Sequence, residues 1–225
     1  MSLQSHNPRL SLSDSTPLLL ASASPRRREI LASLAVSTLT TSVDVDESVL
    51  PGESPEAYLS RVVLAKLAAA SKVFIEDEGI ARGDTLRGIN IASAAGALLV
   101  ADTSVILEGV ILGKPTSDEH AVEMITRLAG RTHEVWTRFA IGAAEYPSRP
   151  LHEETVKTRV TFRPLTAERI RAYVASGEGR DKAGAYAVQD RGAAIVSRIE
   201  GSYSSVVGLP ACEVMMALEA LGLAP

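Results

Sequence analysis

Residues 18–34 read LLLASASPRRREILASL, an apolar run that meets Ser22, Ser24, Pro25 and the consecutive Arg26, Arg27 and Arg28 without a spacer. A short apolar run suits an interior strand. Serine followed by proline is how helices begin, because proline lacks an N–H that the first turn leaves unused. The chain is therefore predicted to open as a strand over about 17–21, a tight turn and a helix over about 25–35, with Ser24 as N-cap. Such an opening is the start of an α/β unit, and the rest of the chain continues the alternation.

The three arginines raise a chemical question. The first turn of a helix already carries partial positive charge, so cations there are unfavourable unless an anion joins them. Helix-start N–H groups, two serine hydroxyls and neighbouring guanidiniums together suit phosphate oxygens. A surface helix with solvated arginines reads the same way, and this stretch alone leaves both open.

Composition narrows the classes. With 225 residues, 46% of them hydrophobic, the chain can bury the core of one large domain or of two lobes. A formal net charge of -4 argues against wrapping nucleic acid or lying on an anionic membrane, so any anion site is local. Apolar runs stay shorter than the roughly 18 residues of a membrane span, and MSLQSHNPRLSLSDST has neither the basic start nor the apolar centre of a signal peptide. The single cysteine, Cys212, forms no intrachain disulfide and fits a reducing compartment, so a cytoplasmic protein is expected. Residues 1–16 read as a mobile tail ahead of a domain over 17–225.

Along that domain, TLTTSVDVDES reads as a strand ending in an acidic loop, and 54–75 as a helix capped by Ser54 and opened by Pro55. Residues 76–97 lose periodicity and gather glycines and charges, the mark of an exposed insertion. The strand ALLVADTSVIL follows, then a hairpin-like turn and a helix over 117–129 closed by Gly130. Strands at 131–145 and 153–163, a helix at 166–175, the glycine-rich DKAGAYAVQ, a short strand and a helix from about 210 complete the pattern.

Four features bear on chemistry. Asp102 ends the apolar run ALLVA, where open α/β sheets bind ligands and a carboxylate can act as a general base; aspartate also ends strands for purely local reasons. Asp44, Asp46 and Glu47 could hold a hard divalent cation or form a solvated loop. Lys66 lies amid LAKLAAA, and Lys114 is fixed between Gly113 and Pro115. Carboxylates, constrained lysines and an arginine-bearing helix start are together the parts that metal-assisted attack on a polyphosphate requires. GEGRDKAGAYAVQ lacks P-loop spacing, His120, His133 and His152 lack metal-ligand spacing, and the serines 22, 24, 202, 204 and 205 have no nucleophile-elbow context.

Six segments in order, ASASPRRREIL, DESVLPGESPEAYLSRVVLAK, ADTSVILEGVILGKP, LAGRTHEVWT, DKAGAYAVQ and IEGSYSSVVGLP, closely resemble the Maf family of nucleoside triphosphate pyrophosphatases. The likeness spans about 18–222 and is broken chiefly by 76–97. It implies an elongated, two-lobed α/β domain with a central twisted mixed sheet flanked by helices, similar to the inosine triphosphate pyrophosphatases. The implied reaction is hydrolysis of a nucleoside triphosphate to the monophosphate and pyrophosphate with Mg or Mn. By position, Asp102 matches the family's proton acceptor and Glu47 an acidic position tied to the metal, which Asp102 is expected to share. Ser22, Arg26, Lys66 and Lys114 match phosphate-contacting positions. Arg27, Thr103 and Gln189 match the triplet of the subgroup acting on dTTP and UTP, and on modified pyrimidine nucleotides. A homodimer and a link to septum formation are also family traits. The alternative is a catalytically inactive nucleotide-binding regulator of cell division.

Overall fold

The computed structural model of the chain describes residues 12–76, 95–143 and 149–224, leaving aside the side chains of 73–76. Strand β1 (Leu18–Ala21) leads through α1 (Pro25–Ser33) to β2 (Thr38–Thr41), and α2 (Pro55–Glu76) leads to β3 (Ala97–Leu107). After the short β4 (Val110–Leu112) come α3 (Asp118–Leu128), β5 (Thr132–Ala143), β6 (Pro150–Phe162) and α4 (Ala167–Ala175). Two 3-10 turns, Ala183–Ala185 and Asp190–Ala194, then precede β7 (Val196–Glu200), α5 (Tyr203–Val207) and α6 (Ala211–Ala220).

The strands form one seven-stranded mixed sheet in the order β2-β1-β3-β5-β6-β7, with β4 on the side of β3. Both β2 and β3 run parallel to β1, whereas every pairing from β3 through β5, β6 and β7 is antiparallel. The division follows from the connections, since parallel neighbours need helical crossovers and β5 to β6 is a direct return.

Strands β3, β5 and β6 have 11, 12 and 13 residues, lengths of roughly 35–45 Å, so they pass through two lobes. At one end Leu18, Leu20, Leu99 and Phe139 pack against α1 and α6, while Leu19, Leu98, Val100 and Ala140 pack against Val63 and Leu67 of α2. At the other end Val105, Val135, Val160 and Phe162 pack against Met124 and Leu128 of α3 and Ile170 and Val174 of α4. Alternate residues of β3 thus serve opposite layers, as the pleat demands. Among the described residues no helix is long and apolar enough to cross a membrane.

Several sequence expectations are refined. Ser24 has the extended backbone of an N-cap, but its side chain makes no capping bond; the Ser22 hydroxyl accepts from the Ser24 N–H at 3.2 Å instead. Ser54 does cap, accepting from the Ala57 N–H at 3.3 Å. Of the segment read as an exposed insertion, 77–94 lies outside the described residues, and Ala95 and Ala97 are buried: the Gly96 N–H between them already bonds to the Pro17 carbonyl, and β3 begins at Ala97. Residues 1–11 of the expected tail likewise lie outside, whereas Leu12 is buried and its N–H reaches the Leu223 carbonyl. Strand β6 starts at Pro150 rather than 153, and α5 was not foreseen because YSSVV has strand-like composition.

His133 lies in the second lobe, on β5, edge-on to Phe162 and with Nε2 2.7 Å from the Tyr186 hydroxyl. Burial depresses its pKa from 6.5 to about 4. A depressed histidine keeps the folded state from taking up a proton that the unfolded chain binds, so stability is full above pH 6.5 and is lost as pH falls toward 4. Urea titrations at pH 7 and pH 4 are expected to show wild type losing on the order of 3 kcal/mol more than His133→Gln; equal losses would remove His133 from the acid response.

Candidate active site

The register of the sheet leaves an opening. Strand β1 pairs with β3 only as far as Leu20 opposite Leu99, and β4 takes the same edge only from Val105 onward. Between them the edge of β3 over residues 100–104 has no strand partner. This gap lies at the carboxyl ends of the parallel strands β1 and β2, where α/β sheets hold their ligands. A cleft of about 610 Å³ occupies it. The nine residues that the resemblance assigns to a site all line it: Ser22, Arg26, Arg27, Glu47, Lys66, Asp102, Thr103, Lys114 and Gln189.

Asp102 and Thr103 are consecutive on β3, so their side chains leave opposite faces of the sheet. Asp102 faces α2, whose Lys66 Nζ lies 2.7 Å from Asp102 Oδ1 and 2.6 Å from Glu47 Oε1. Lys66 and Asp102 are both only 8% exposed. A buried ion pair of this kind contributes little net stability, because desolvation offsets the attraction. One ammonium N–H and Asp102 Oδ2 have no protein partner among the described residues.

Glu47 reaches this pair from the loop between β2 and α2. Three successive carbonyls of the loop are taken by α2: Arg61 donates to those of Asp46 and Ser48 at 3.3 and 2.8 Å, and the Tyr58 hydroxyl to that of Glu47 at 3.1 Å. Arg61 also grips Glu53 through two bonds of 2.7 and 2.8 Å, which hold that carboxyl down at about 2. Burial works against the charge of Glu47, but Lys66 and then Lys114, 3.7 Å away, outweigh it and keep the carboxyl below its usual range. Of the other two acids considered as ligands, Asp46 turns back to Ser48 at 2.6 Å, and neither it nor Asp44 lines the cleft.

On the opposite face Arg27 bridges α1, β3 and the turn after α5. Its Nε donates to the Gly208 carbonyl at 2.8 Å, and its Nη1 to the Ala101 carbonyl at 2.8 Å and the Ser22 hydroxyl at 3.1 Å. Its Nη2 donates to Thr103 Oγ1 at 3.3 Å. The guanidinium therefore satisfies a carbonyl on the open edge of β3 that a strand would otherwise have taken. Burial pushes its pKa down and the charges of Asp102 and Glu47 push it up. The Thr103 hydroxyl is also occupied. It lies 2.9 Å from Thr137 Oγ1, whose own hydrogen goes to the Ser205 carbonyl, so Thr103 donates to Thr137 while accepting from Arg27.

Arg26 and Gln189 contrast with this. Both line the cleft, and neither side chain makes a hydrogen bond among the described residues. With Ser24 not capping, the start of α1 presents N–H groups, a hydroxyl and the Arg26 guanidinium to the cleft together. Asp181, Lys182 and Tyr186 also line it and were missed in the sequence. They lie in DKAGAYAVQ, one of the segments that carry the resemblance, from which only Gln189 was assigned to the site.

With this geometry in view, comparison with known proteins is informative. A profile of the Maf-like protein family matches residues 17–221. The protein named dTTP/UTP pyrophosphatase in Myxococcus xanthus is 43% identical over 213 residues, covering 93% of this chain and 95% of that one. Its namesakes in Geotalea uraniireducens and Neisseria meningitidis are 43% and 41% identical, each over 205 residues and 91% of this chain. Among solved structures, the nucleoside-triphosphatase / dITP/XTP pyrophosphatase of Mycobacterium abscessus aligns over 65% of this chain and 73% of its own at 14% identity, with a TM-score of 0.34, too low to bear on the site. A profile match over nearly the whole described domain and relatives above 40% identity along its length place the chain in the Maf family.

Proposed function

We propose that this chain is a nucleoside triphosphate pyrophosphatase that adds water across the anhydride between the α and β phosphates of dTTP, UTP and modified pyrimidine nucleotides. The observation that carries the reading is Lys66, held between Glu47 and Asp102 in a cleft whose other wall is an uncapped, arginine-bearing helix start. The names of the relatives, dTTP/UTP pyrophosphatase, support the same substrates.

In this reading the start of α1, with Ser22 and Arg26, receives phosphate oxygens through N–H and guanidinium donors. The remaining N–H of Lys66 and the exposed ammonium of Lys114 offset the charge that grows on departing pyrophosphate. Asp102 Oδ2, without a protein donor, accepts the proton of the attacking water, while Oδ1 stays anchored to Lys66. Gln189 faces the base with an amide that both donates and accepts, and Arg27 with Thr103 shapes the wall beside it.

The donor set also suits a divalent cation, magnesium or manganese. Among the described residues no three of His, Cys, Asp and Glu come together, and magnesium commonly takes one or two carboxylates and leaves its other positions to water and phosphate. Glu47 and Asp102 would hold it, and when bound it would supply further neutralisation of phosphate charge. A regulator that only binds nucleotide has no use for a carboxylate oxygen kept clear beside an ammonium, so the catalytic reading is preferred.

Incubation with dTTP, UTP, CTP and 7-methyl-GTP, with and without Mg²⁺ or Mn²⁺, is expected to release pyrophosphate in a metal-dependent way led by dTTP and UTP. No release from any nucleotide would sink the activity, whereas a profile led by 7-methyl-GTP would overturn the substrate class alone. Asp102→Asn should bind UTP with near wild-type affinity yet turn it over about 10²–10⁴-fold more slowly. Equal turnover in stopped assays would take Asp102 out of the proton transfer.

A further inference from the structure

Gln189 sits in the turn between Ala187 and Gly192, and that turn is strained. Asp190 has a φ of 49°, and Gly184 and Ala185 just before it have φ of 69° and 60°. Left-handed backbone at alanine and aspartate persists only where neighbouring structure holds it. The turn also closes on itself tightly, because a Cβ at Gly192 would lie 1.8 Å from the Ala187 carbonyl oxygen.

What holds it is one pair of side chains at the end of α4. The Tyr173 hydroxyl accepts from the Ala187 N–H at 3.0 Å and donates to Glu178 Oε1 at 3.2 Å. The same carboxylate accepts from the Gly192 N–H at 2.9 Å through Oε1 and from the Arg191 N–H at 3.0 Å through Oε2. Both ends of the turn are thus tied to a single carboxylate. Lys182, on the wall of the cleft, adds a bond of 2.6 Å from its Nζ to the Glu178 carbonyl. No ion pair involves the Glu178 carboxylate among the described residues, and Glu178 does not line the cleft.

This anchoring matters because a glutamine amide is ambiguous. Uracil presents an N–H and a carbonyl oxygen side by side, and cytosine presents a ring nitrogen acceptor beside an amino donor. An amide that can shift or turn over satisfies either edge. Selecting one of them requires its position to be fixed from outside, and the Gln189 side chain has no protein hydrogen bond of its own among the described residues to do so.

We infer that Glu178, with Tyr173, is a positioning residue for base selection: it holds the 187–192 turn, and so the place from which the Gln189 amide meets the base, and thereby sharpens the distinction between uracil and cytosine. The inference rests on the reading of Gln189 as the base-facing residue. Substrate preference would then depend on a carboxylate that never touches the nucleotide.

The test compares kcat/KM for UTP and CTP in wild type, Glu178→Gln, Tyr173→Phe and Gln189→Ala, with circular dichroism to verify folding. Glu178→Gln keeps the size of the side chain but sets an amide against the Arg191 or the Gly192 N–H, and Tyr173→Phe removes both the acceptor for the Ala187 N–H and the donor to Glu178. Each is expected to lower the UTP to CTP ratio by about tenfold, the worth of one well-made hydrogen bond to a charged group. Gln189→Ala should lower it at least as far. A merely structural role would reduce both nucleotides by the same factor, so an unchanged ratio in Glu178→Gln and Tyr173→Phe beside a lowered one in Gln189→Ala overturns the inference and leaves Gln189 as base reader. An unchanged ratio in all three variants overturns the reading of Gln189 and the inference with it.

Discussion

Lys66 carries one positive charge to a point where two carboxylates from different parts of the chain converge, one from the strand β3 and one from the loop ahead of α2. Without it Asp102 and Glu47 would repel each other in a partly desolvated cleft, and at least one would have to move or take up a proton. The three groups belong to α2, to β3 and to the loop ahead of α2, so the ion pair also fixes how α2 lies on the sheet beside the opening. Its net contribution to stability is small by the ordinary balance of burial against attraction, which fits a pair retained for what it does.

The opening itself follows from strand length. Strand β1 has four residues and β3 has eleven, so a parallel partner cannot cover the whole edge. Exposed ladder groups on an unpaired edge need other partners, and Arg27 serves the carbonyl of Ala101 in that way. The three neighbouring arginines thereby divide their tasks. Arg27 joins α1 to the sheet, Arg26 remains available at the helix start, and Arg28 lies exposed away from the cleft.

Much of this was legible in the chain. Strand and helix order, the cap at Ser54 and the helix end at Gly130 follow from local rules, because each depends on residues within one turn of the backbone. Nine of the residues that line the cleft were also legible, partly by residue type and partly by resemblance. What local reading missed was how the residues are connected. A serine before a proline looks like a cap whether or not its hydroxyl turns inward, and Ser24 does not cap. Glycine content made 95–97 look like exposed insertion, although Ala95 and Ala97 are buried and β3 begins at Ala97. The sequence DKAGAYAVQ contains no hint that Glu178, eleven residues before Gln189, ties the turn together.

By itself the amino-acid sequence determined the alternation of strands and helices and the strand that carries Asp102, because hydrophobic periodicity and capping chemistry act over a few residues; Asp102 stands in the middle of that strand and not at its end. Only the tertiary structure decided which donors are occupied and which remain open. Arg27 and Thr103 are taken by Gly208, Ala101 and Thr137, while Arg26 and Gln189 are left to the cleft. The reason is geometric: hydrogen bonds form between groups brought together by the register of β3 against β1, β4 and β5, and that register joins residues as much as 181 positions apart.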